Sequence, residues 1–304
     1  MGYDTAYSPL NFGFDYFRGY VSGNVDYHSH IDGTGFYDWW EQKDTLLEPG
    51  YSTDLITKNA VRFIRNNKDS PFFLYLAHEA PHSPYQGRED DPIRTQGINS
   101  QGQGTPADLQ KTYREMIAAM DEGVGEIFRA LEDYGILDNT LVFFFSDNGA
   151  NKNGSNDPFR GYKSSLWEGG HRVPAMAYWK GRIEPGTSDE LLIGMDLFPT
   201  FATLVGGNLP DSIELDGADF SSLLLENESL EERPVYWRFR GERTVRIGPL
   251  KLLVLKDSTY LFNLLDDPSE KVNTIQRYPD LSDSLKQLLQ AWEEDMDTFK
   301  LNTF

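Results

Sequence analysis

The residues with the clearest chemical potential are Ser146-Asp147-Asn148-Gly149, which follow the unbroken apolar run of residues 141–145. An Asp and an Asn in succession offer a carboxylate and a carbonyl oxygen, a donor pair suited to a hard divalent cation. Alone, Asp-Asn-Gly reads more simply as a helix cap or an Asx turn. The segment that follows changes the weighting. Lys163 stands fifteen residues after Asn148, and Glu168-Gly169-Gly170-His171-Arg172 then turns into a second apolar run. A lysine ammonium beside a metal suits a tetrahedral oxyanion, whereas an isolated lysine is ordinarily a solvated surface group. A third cluster, residues 77–84, carries His78 and His82 on either side of Ala80-Pro81. Two prolines stiffen this loop, so an imidazole here can be aimed, either to protonate a leaving group or to bind an anionic oxygen. A buried, hydrogen-bonded histidine describes His78 equally well. His28 and His30, two residues apart, share a face only in extended chain and lack a third ligand, so the pair makes a poor metal site.

These loops need elements to hold them. Residues 1–50 are irregular and rich in glycine and aromatic residues. A helix is predicted over 54–67, capped by Thr53, with Leu55, Ile56, Ala60, Phe63 and Ile64 near the 3.6 period. Residues 72–77 read as a strand buried on both faces, and 86–106 as a polar surface loop. A long helix over 107–133 ends near Gly135, strands follow at 141–146 and 173–178, and a short helix spans 196–205. The three strands are expected side by side with the two long helices packed on them. Such alternation predicts an α/β fold with a mostly parallel sheet. Beyond residue 230 come short strands at 235–240, 244–247, 251–255 and 260–264, which predict a small antiparallel sheet. Leu281, Leu285, Leu288, Leu289, Trp292, Met296 and Phe299 define a closing helix. The expected division is therefore 1–230 and 231–304.

Composition limits the functions available. The chain has 304 residues, 28 Lys and Arg against 48 Asp and Glu, and a net charge of −20. That balance opposes nucleic acid as the main partner. With 39 % hydrophobic and 13 % aromatic residues it can build a core, and with no cysteine it has no disulfide, thiolate ligand or thiol nucleophile. No window approaches the ~18 apolar residues of a membrane span. Asn227-Glu228-Ser229 fits the glycosylation sequon, a pattern common by chance. Met1-Gly2-Tyr3-Asp4 runs straight into a glycine- and aromatic-rich loop, as if the chain were entered in its middle.

In series, several segments resemble the sulfatase family of the alkaline-phosphatase-like superfamily. They are Gly13-Phe14-Asp15-Tyr16-Phe17, Ala80-Pro81-His82-Ser83-Pro84, Ser146-Asp147-Asn148-Gly149, Lys163 with Glu168-Gly169-Gly170 and Arg172-Val173-Pro174, Asp196-Leu197-Phe198-Pro199-Thr200, Leu215-Asp216-Gly217 and Arg246-Ile247-Gly248-Pro249-Leu250-Lys251-Leu252. The nearest likeness is to arylsulfatases and N-acetylgalactosamine-6-sulfatases. The resemblance implies that Asp147 and Asn148 are calcium ligands and that Lys163 contacts the sulfate and the leaving oxygen. It makes His82 a sulfate-binding or leaving-group histidine, and it sets His30 and His171 where substrate-facing residues could lie. It further implies a sulfate ester substrate, on a glycan or an aryl alcohol, and a periplasmic or extracellular setting.

Three family features are missing from the sequence. There is no Cys or Ser followed by x-Pro-x-Arg, the segment that matures to the formylglycine nucleophile. The Asp-Asp pair that supplies the other metal ligands from the family's first strand is absent, as is the Gly-Lys-Trp-His segment. The expectation is a chain lacking the N-terminal formylglycine region, inert alone, with calcium weak or absent and apolar sheet surface exposed. The missing part would be an N-terminal segment or a separate chain. Two other readings are a non-catalytic sulfated-glycan-binding protein and a phosphodiesterase or phosphomutase of the same superfamily.

Overall fold

The computed structural model describes residues 2–99, 104, 106–207, 209–210 and 212–298. The chain forms two compact units, Met1–Thr140 and Leu141–Phe304.

In the first unit, three two-residue strands make a small antiparallel sheet: β1 (Arg18–Gly19), β2 (Trp40–Glu41) and β3 (Asp44–Thr45). Two helices carry the core, α1 (Ser52–Asn67) and α2 (Leu109–Asp133). Helix α1 starts two residues earlier than expected. Thr53 lies inside its first turn, buried, and the cap position belongs to Tyr51 without a side-chain bond. Asp108 caps α2 by accepting from the Lys111 N–H, and Gly135, at φ +70°, closes it. The helices touch closely where Gly123 faces Thr57, because any Cβ on Gly123 would collide with the threonine hydroxyl. Tyr27, Tyr51, Ala80, Tyr85, Met116 and Ala119 form the core beside them.

Residues 72–77 correct the expectation of a strand buried on both faces. The segment joins no ladder among the described residues. Its side chains alternate, with Phe72, Leu74 and Leu76 half-buried while Phe73 and Tyr75 are 61 % and 65 % exposed. An apolar run becomes doubly buried only when layers cover both faces, and here one face is open.

The second unit opens with β4 (Val142–Phe145), followed by α3 (Glu168–His171) and β5 (Ala175–Tyr178). Strands β4 and β5 pair antiparallel, Val142 opposite Tyr178 and Phe145 opposite Ala175, so their direction differs from the parallel order expected. Met176 and Tyr178 leave apolar surface exposed. Next come α4 (Leu197–Leu204) and α5 (Ser221–Glu226). The four-stranded antiparallel meander is β6 (Pro234–Phe239), β7 (Glu242–Ile247), β8 (Leu250–Leu255) and β9 (Ser258–Asn263). One cluster joins Val245, Leu252 and Leu261 to Leu285 and Leu289 of α6 (Pro279–Thr298). Another joins Leu253, Phe262 and Leu264 to Leu166. Strand alternation explains both: Leu252 and Leu253 point to opposite sides of β8. Phe299, expected at the end of the closing helix, lies outside the described residues.

Candidate functional site

Strand β4 delivers its last residue into a tight turn. Ser146 Oγ donates to the Asn148 carbonyl, and Asn148 Nδ2 donates to the Asp147 carboxylate, which is exposed. The turn is clamped onto the Lys163 segment by backbone bonds. Gly149 N–H donates to Gly170 O at 3.0 Å, and Lys163 N–H donates to Ala150 O at 2.9 Å. Gly149 has to be a glycine, since a Cβ there would run into the Gly169 carbonyl. Asn156 adds a side-chain clip: its amide accepts from Ala150 N–H at 2.8 Å and donates to Ala150 O and Gly161 O. Lys163 itself is half-buried and forms no ion pair among the described residues. A carboxylate and a free ammonium are thus carried on two segments tied together by main-chain bonds.

Behind them lies a buried ionic cluster. Glu168, Lys251 and Glu270 are all fully buried. Lys251 Nζ stands 2.9 Å from Glu168 Oε1 and 2.8 Å from Glu270 Oε1, and Arg246 reaches Glu168 Oε2 at 2.9 Å. Burial works to raise the Glu168 pKa, but Lys251 and Arg246 outweigh it and hold it below the usual carboxylate value. Glu270, with Lys251 as its cation and the Glu168 N–H as donor, is held above it by burial. His171 stacks on Trp237 at 4.6 Å and its Nε2 faces the Leu166 carbonyl at 3.2 Å. Burial, then the Lys251 ammonium, pushes its pKa down to about 4, so it is neutral at pH 7.

In the first unit His82 is exposed on its turn. Its N–H donates to Glu79 O, the Tyr27 hydroxyl donates to its carbonyl, and its Nδ1 lies 2.7 Å from Ser83 O. A carbonyl acceptor fixes Nδ1 as the protonated nitrogen and leaves Nε2 to outside partners. His78 is different: neither ring nitrogen has a hydrogen-bond partner among the described residues, and burial lowers its pKa to about 4. Glu79, also buried, is pushed well above the carboxylate range by that burial, although Val25 N–H donates to it. His30 is 1 % exposed, stacked on Trp39 at 4.6 Å, with Nε2 at 3.1 Å from Gly50 O. Its surface is spent on protein contacts rather than open to a substrate. His28 Nε2 is bonded to the Gly87 carbonyl.

The profile of the family described as Sulfatase matches residues 1–207. The chain belongs to the sulfatase family. This sulfatase chain is 32 % identical over 233 residues to an uncharacterized sulfatase, YdeN, of Escherichia coli, covering 74 % of this chain and 39 % of that protein. It is 32 % identical over 271 residues to the N-acetylgalactosamine-6-sulfatase of Mus musculus, covering 83 % of this chain and 50 % of the relative. It therefore spans half the length or less of these curated relatives. Among solved structures, Ps i-CgsB superposes with a TM-score of 0.84 at 30 % identity, covering 96 % of this chain and 69 % of the other. The fold is the alkaline-phosphatase-like fold of sulfatases, with an antiparallel sheet and closing helix at its C-terminal end.

The family is one in which calcium is expected. Asp147 and Asn148 are oxygen donors of the right kind. Calcium takes six to eight oxygens, and among the described residues no three His, Cys, Asp or Glu side chains converge. The pair does not make a complete site, so no chemical step is assigned to a metal here. Nothing in the sequence pattern marks Asn156 as the clip between the two site segments. Lys251 did carry a signal, as the one charge in the run Leu250-Lys251-Leu252-Leu253.

Proposed function

We propose that this chain supplies the sulfate-binding part of a sulfuric ester hydrolase acting on a sulfated glycan. The observation carrying this reading is the clamped pair of segments that holds Lys163, free of any ion pair among the described residues, next in the chain fold to the Asp147-Asn148 turn. The Lys163 ammonium would bind a sulfate oxygen and stabilise charge growing on the leaving oxygen. His82, with Nδ1–H held by the Ser83 carbonyl, would act as the imidazolium, giving its Nε2 proton to the leaving alcohol and ending as the Nδ1–H neutral ring. Asp147 and Asn148 would contribute to calcium binding once further ligands are supplied. No Cys/Ser-x-Pro-x-Arg segment is present, so the nucleophile would come from polypeptide outside this sequence, continuous with it or separate. A glycan substrate is supported by Ps i-CgsB, whose structure is also known in complex with k-i-k-neocarrahexaose. A periplasmic or extracellular setting is part of the same proposal.

The test is binding and turnover of a chromogenic aryl sulfate by the purified chain with calcium. The chain alone should bind without turnover, and Lys163→Ala should weaken binding by about 10–100-fold, the worth of one hydrogen bond to a charged group. Supplying the formylglycine region of a relative in trans should give turnover. Turnover by the chain alone, abolished by Lys163→Ala, would show that a nucleophile operates within it. The missing nucleophile motif also favours a second reading, a glycan-binding protein without catalysis. That reading predicts binding with no turnover even after complementation.

A further inference from the structure

The first unit contains a cavity of about 330 Å³ with Tyr3, Ser22, Asn24, Asp32, Thr34 and Arg94 in its wall. The size falls within the roughly 300–1,000 Å³ typical of small-ligand sites. Ser83, the residue after His82, also lines it, so the cavity abuts the turn that carries the leaving-group histidine. Its polar groups divide into satisfied and unsatisfied ones. The Asp32 carboxylate is spent: it accepts from Thr34 N–H at 2.9 Å, Phe36 N–H at 2.9 Å, Thr34 Oγ1 at 2.8 Å and the Tyr3 hydroxyl at 2.6 Å. Those donors, against an opposing effect of burial, keep it ionised.

Arg94 is the unsatisfied group. It is 6 % exposed and forms no ion pair among the described residues. One guanidinium nitrogen meets Asn24 Oδ1 at 2.7 Å. Another reaches the carbonyls of Asn24 and Ile31 only at 3.4 and 3.3 Å, and Nε has no partner among the described residues. Contacts that long are weak hydrogen bonds, and a buried cation without a counter-charge is costly. Burial lowers the Arg94 pKa, and the carboxylates of Glu79, Asp26 and Asp32 act on it from a distance without pairing.

We propose that this cavity is a carbohydrate subsite that takes a sugar bearing an anionic substituent, with Arg94 holding the anion and Ser22, Asn24 and Tyr3 facing the hydroxyls. The proposal rests on the sulfated-glycan reading above and deepens it: the cavity would select a substrate whose sugar next to the cleaved ester is itself charged. The anion has two sources, a second sulfate or a uronate carboxylate, and both present oxygens to a guanidinium fork.

Two variants test it. Arg94→Met removes the charge while keeping the stem. Gly23→Phe fills the cavity, and a Cβ at Gly23 meets nothing within 4 Å, so it adds no strain to the backbone. Calorimetric titration would use a sulfated galactan tetrasaccharide, its desulfated form, an unsulfated oligouronate and 4-nitrophenyl sulfate. The wild-type chain should bind the sulfated tetrasaccharide or the oligouronate at least tenfold more tightly than the desulfated one, and the tighter of the two names the anion. Both variants should lose that preference, while binding of 4-nitrophenyl sulfate stays unchanged. Unaltered tetrasaccharide affinity in Gly23→Phe would overturn the subsite, whatever the folding of Arg94→Met. Aryl sulfate binding insensitive to Lys163→Ala would instead overturn the functional reading, and the Gly23→Phe result would still decide the cavity.

Discussion

Replacing Lys251 with Met gives the sharpest test of what holds the Glu168 segment, and the Lys163 loop before it, in place. Lys251 is fully buried, with its ammonium 2.9 Å from Glu168 and 2.8 Å from Glu270. After the substitution Glu168 keeps Arg246 at 2.9 Å and Arg172 at 3.7 Å. Glu270 keeps only the Glu168 N–H at 2.7 Å and loses its cation. An unpaired buried carboxylate of this kind costs about 3–5 kcal/mol. For a unit of this size that converts to a fall in Tm of roughly 8–16 °C. Urea unfolding followed by tryptophan fluorescence reads it directly, since Trp167 and Trp237 pack on the same sheet. The double variant Lys251→Met/Glu270→Gln should recover more than about 1 kcal/mol, because the stranded charge is gone. A loss below about 1 kcal/mol in Lys251→Met, or strictly additive effects in the double variant, would refute the ion-pair account.

Acid should weaken the fold through its buried histidines. His78 and His171 titrate near 4 when folded against an ordinary value of about 6.5, so the unfolded chain takes up protons first as pH falls. Their stabilisation is complete above about pH 6.5 and is lost as pH drops toward 4. The cost between pH 7 and pH 5 is about 2 kcal/mol per histidine, and denaturant melts of His171→Gln should show that loss cut by one histidine's share. Gly149→Ala should lower stability by about 1–3 kcal/mol through the collision with the Gly169 carbonyl, and it should weaken sulfate binding in parallel; unchanged melting and binding would mean that the turn relaxes freely. Asn156→Ala should loosen the Lys163 segment, seen as faster amide exchange at Lys163 and Gly161, while leaving the four-stranded sheet protected.

Much of this was legible because local pattern and final environment agree. The long helix over residues 109–133 has a capping Asp108, a continuous apolar stripe and a closing Gly135, and it forms within two residues of expectation. The C-terminal meander likewise follows its turn residues. Residues 72–77 misled because an apolar run states what a segment is able to bury, not what layers are there to bury it. His30 misled for a related reason. The family resemblance set it where a substrate-facing residue could lie, whereas stacking on Trp39 is a long-range fact with no local signature. The Asp147-Asn148 turn and Lys163 were visible as residue types. The clip that joins them, Asn156, was not, because an asparagine in a polar loop looks the same whether or not its amide bridges two strands of chain.

Several of the strongest sequence motifs turn out to be joints rather than reagents. In Asp196-Leu197-Phe198-Pro199-Thr200 the Asp196 carboxylate accepts from Ile193 N–H, Ala218 N–H and Arg233, and Thr200 Oγ1 donates back to the Asp196 carbonyl. Gly217, from Leu215-Asp216-Gly217, is where that chain passes so close to the Met195 carbonyl that no Cβ fits. Glu168-Gly169-Gly170 works in the same way. Its carboxylate anchors the segment to Lys251 and Arg246 of the meander, while its glycines let the backbone press against Gly149 and Ser165. Asp147 and, in the first unit, His82 stay exposed, and Lys163 forms no ion pair among the described residues. This division has a physical basis. A group left to bind an anion keeps its charge unspent, whereas the Glu168 and Asp196 carboxylates of the neighbouring motifs are paired with cations. The meander, remote in sequence from Lys163, is therefore part of the machinery that presents it.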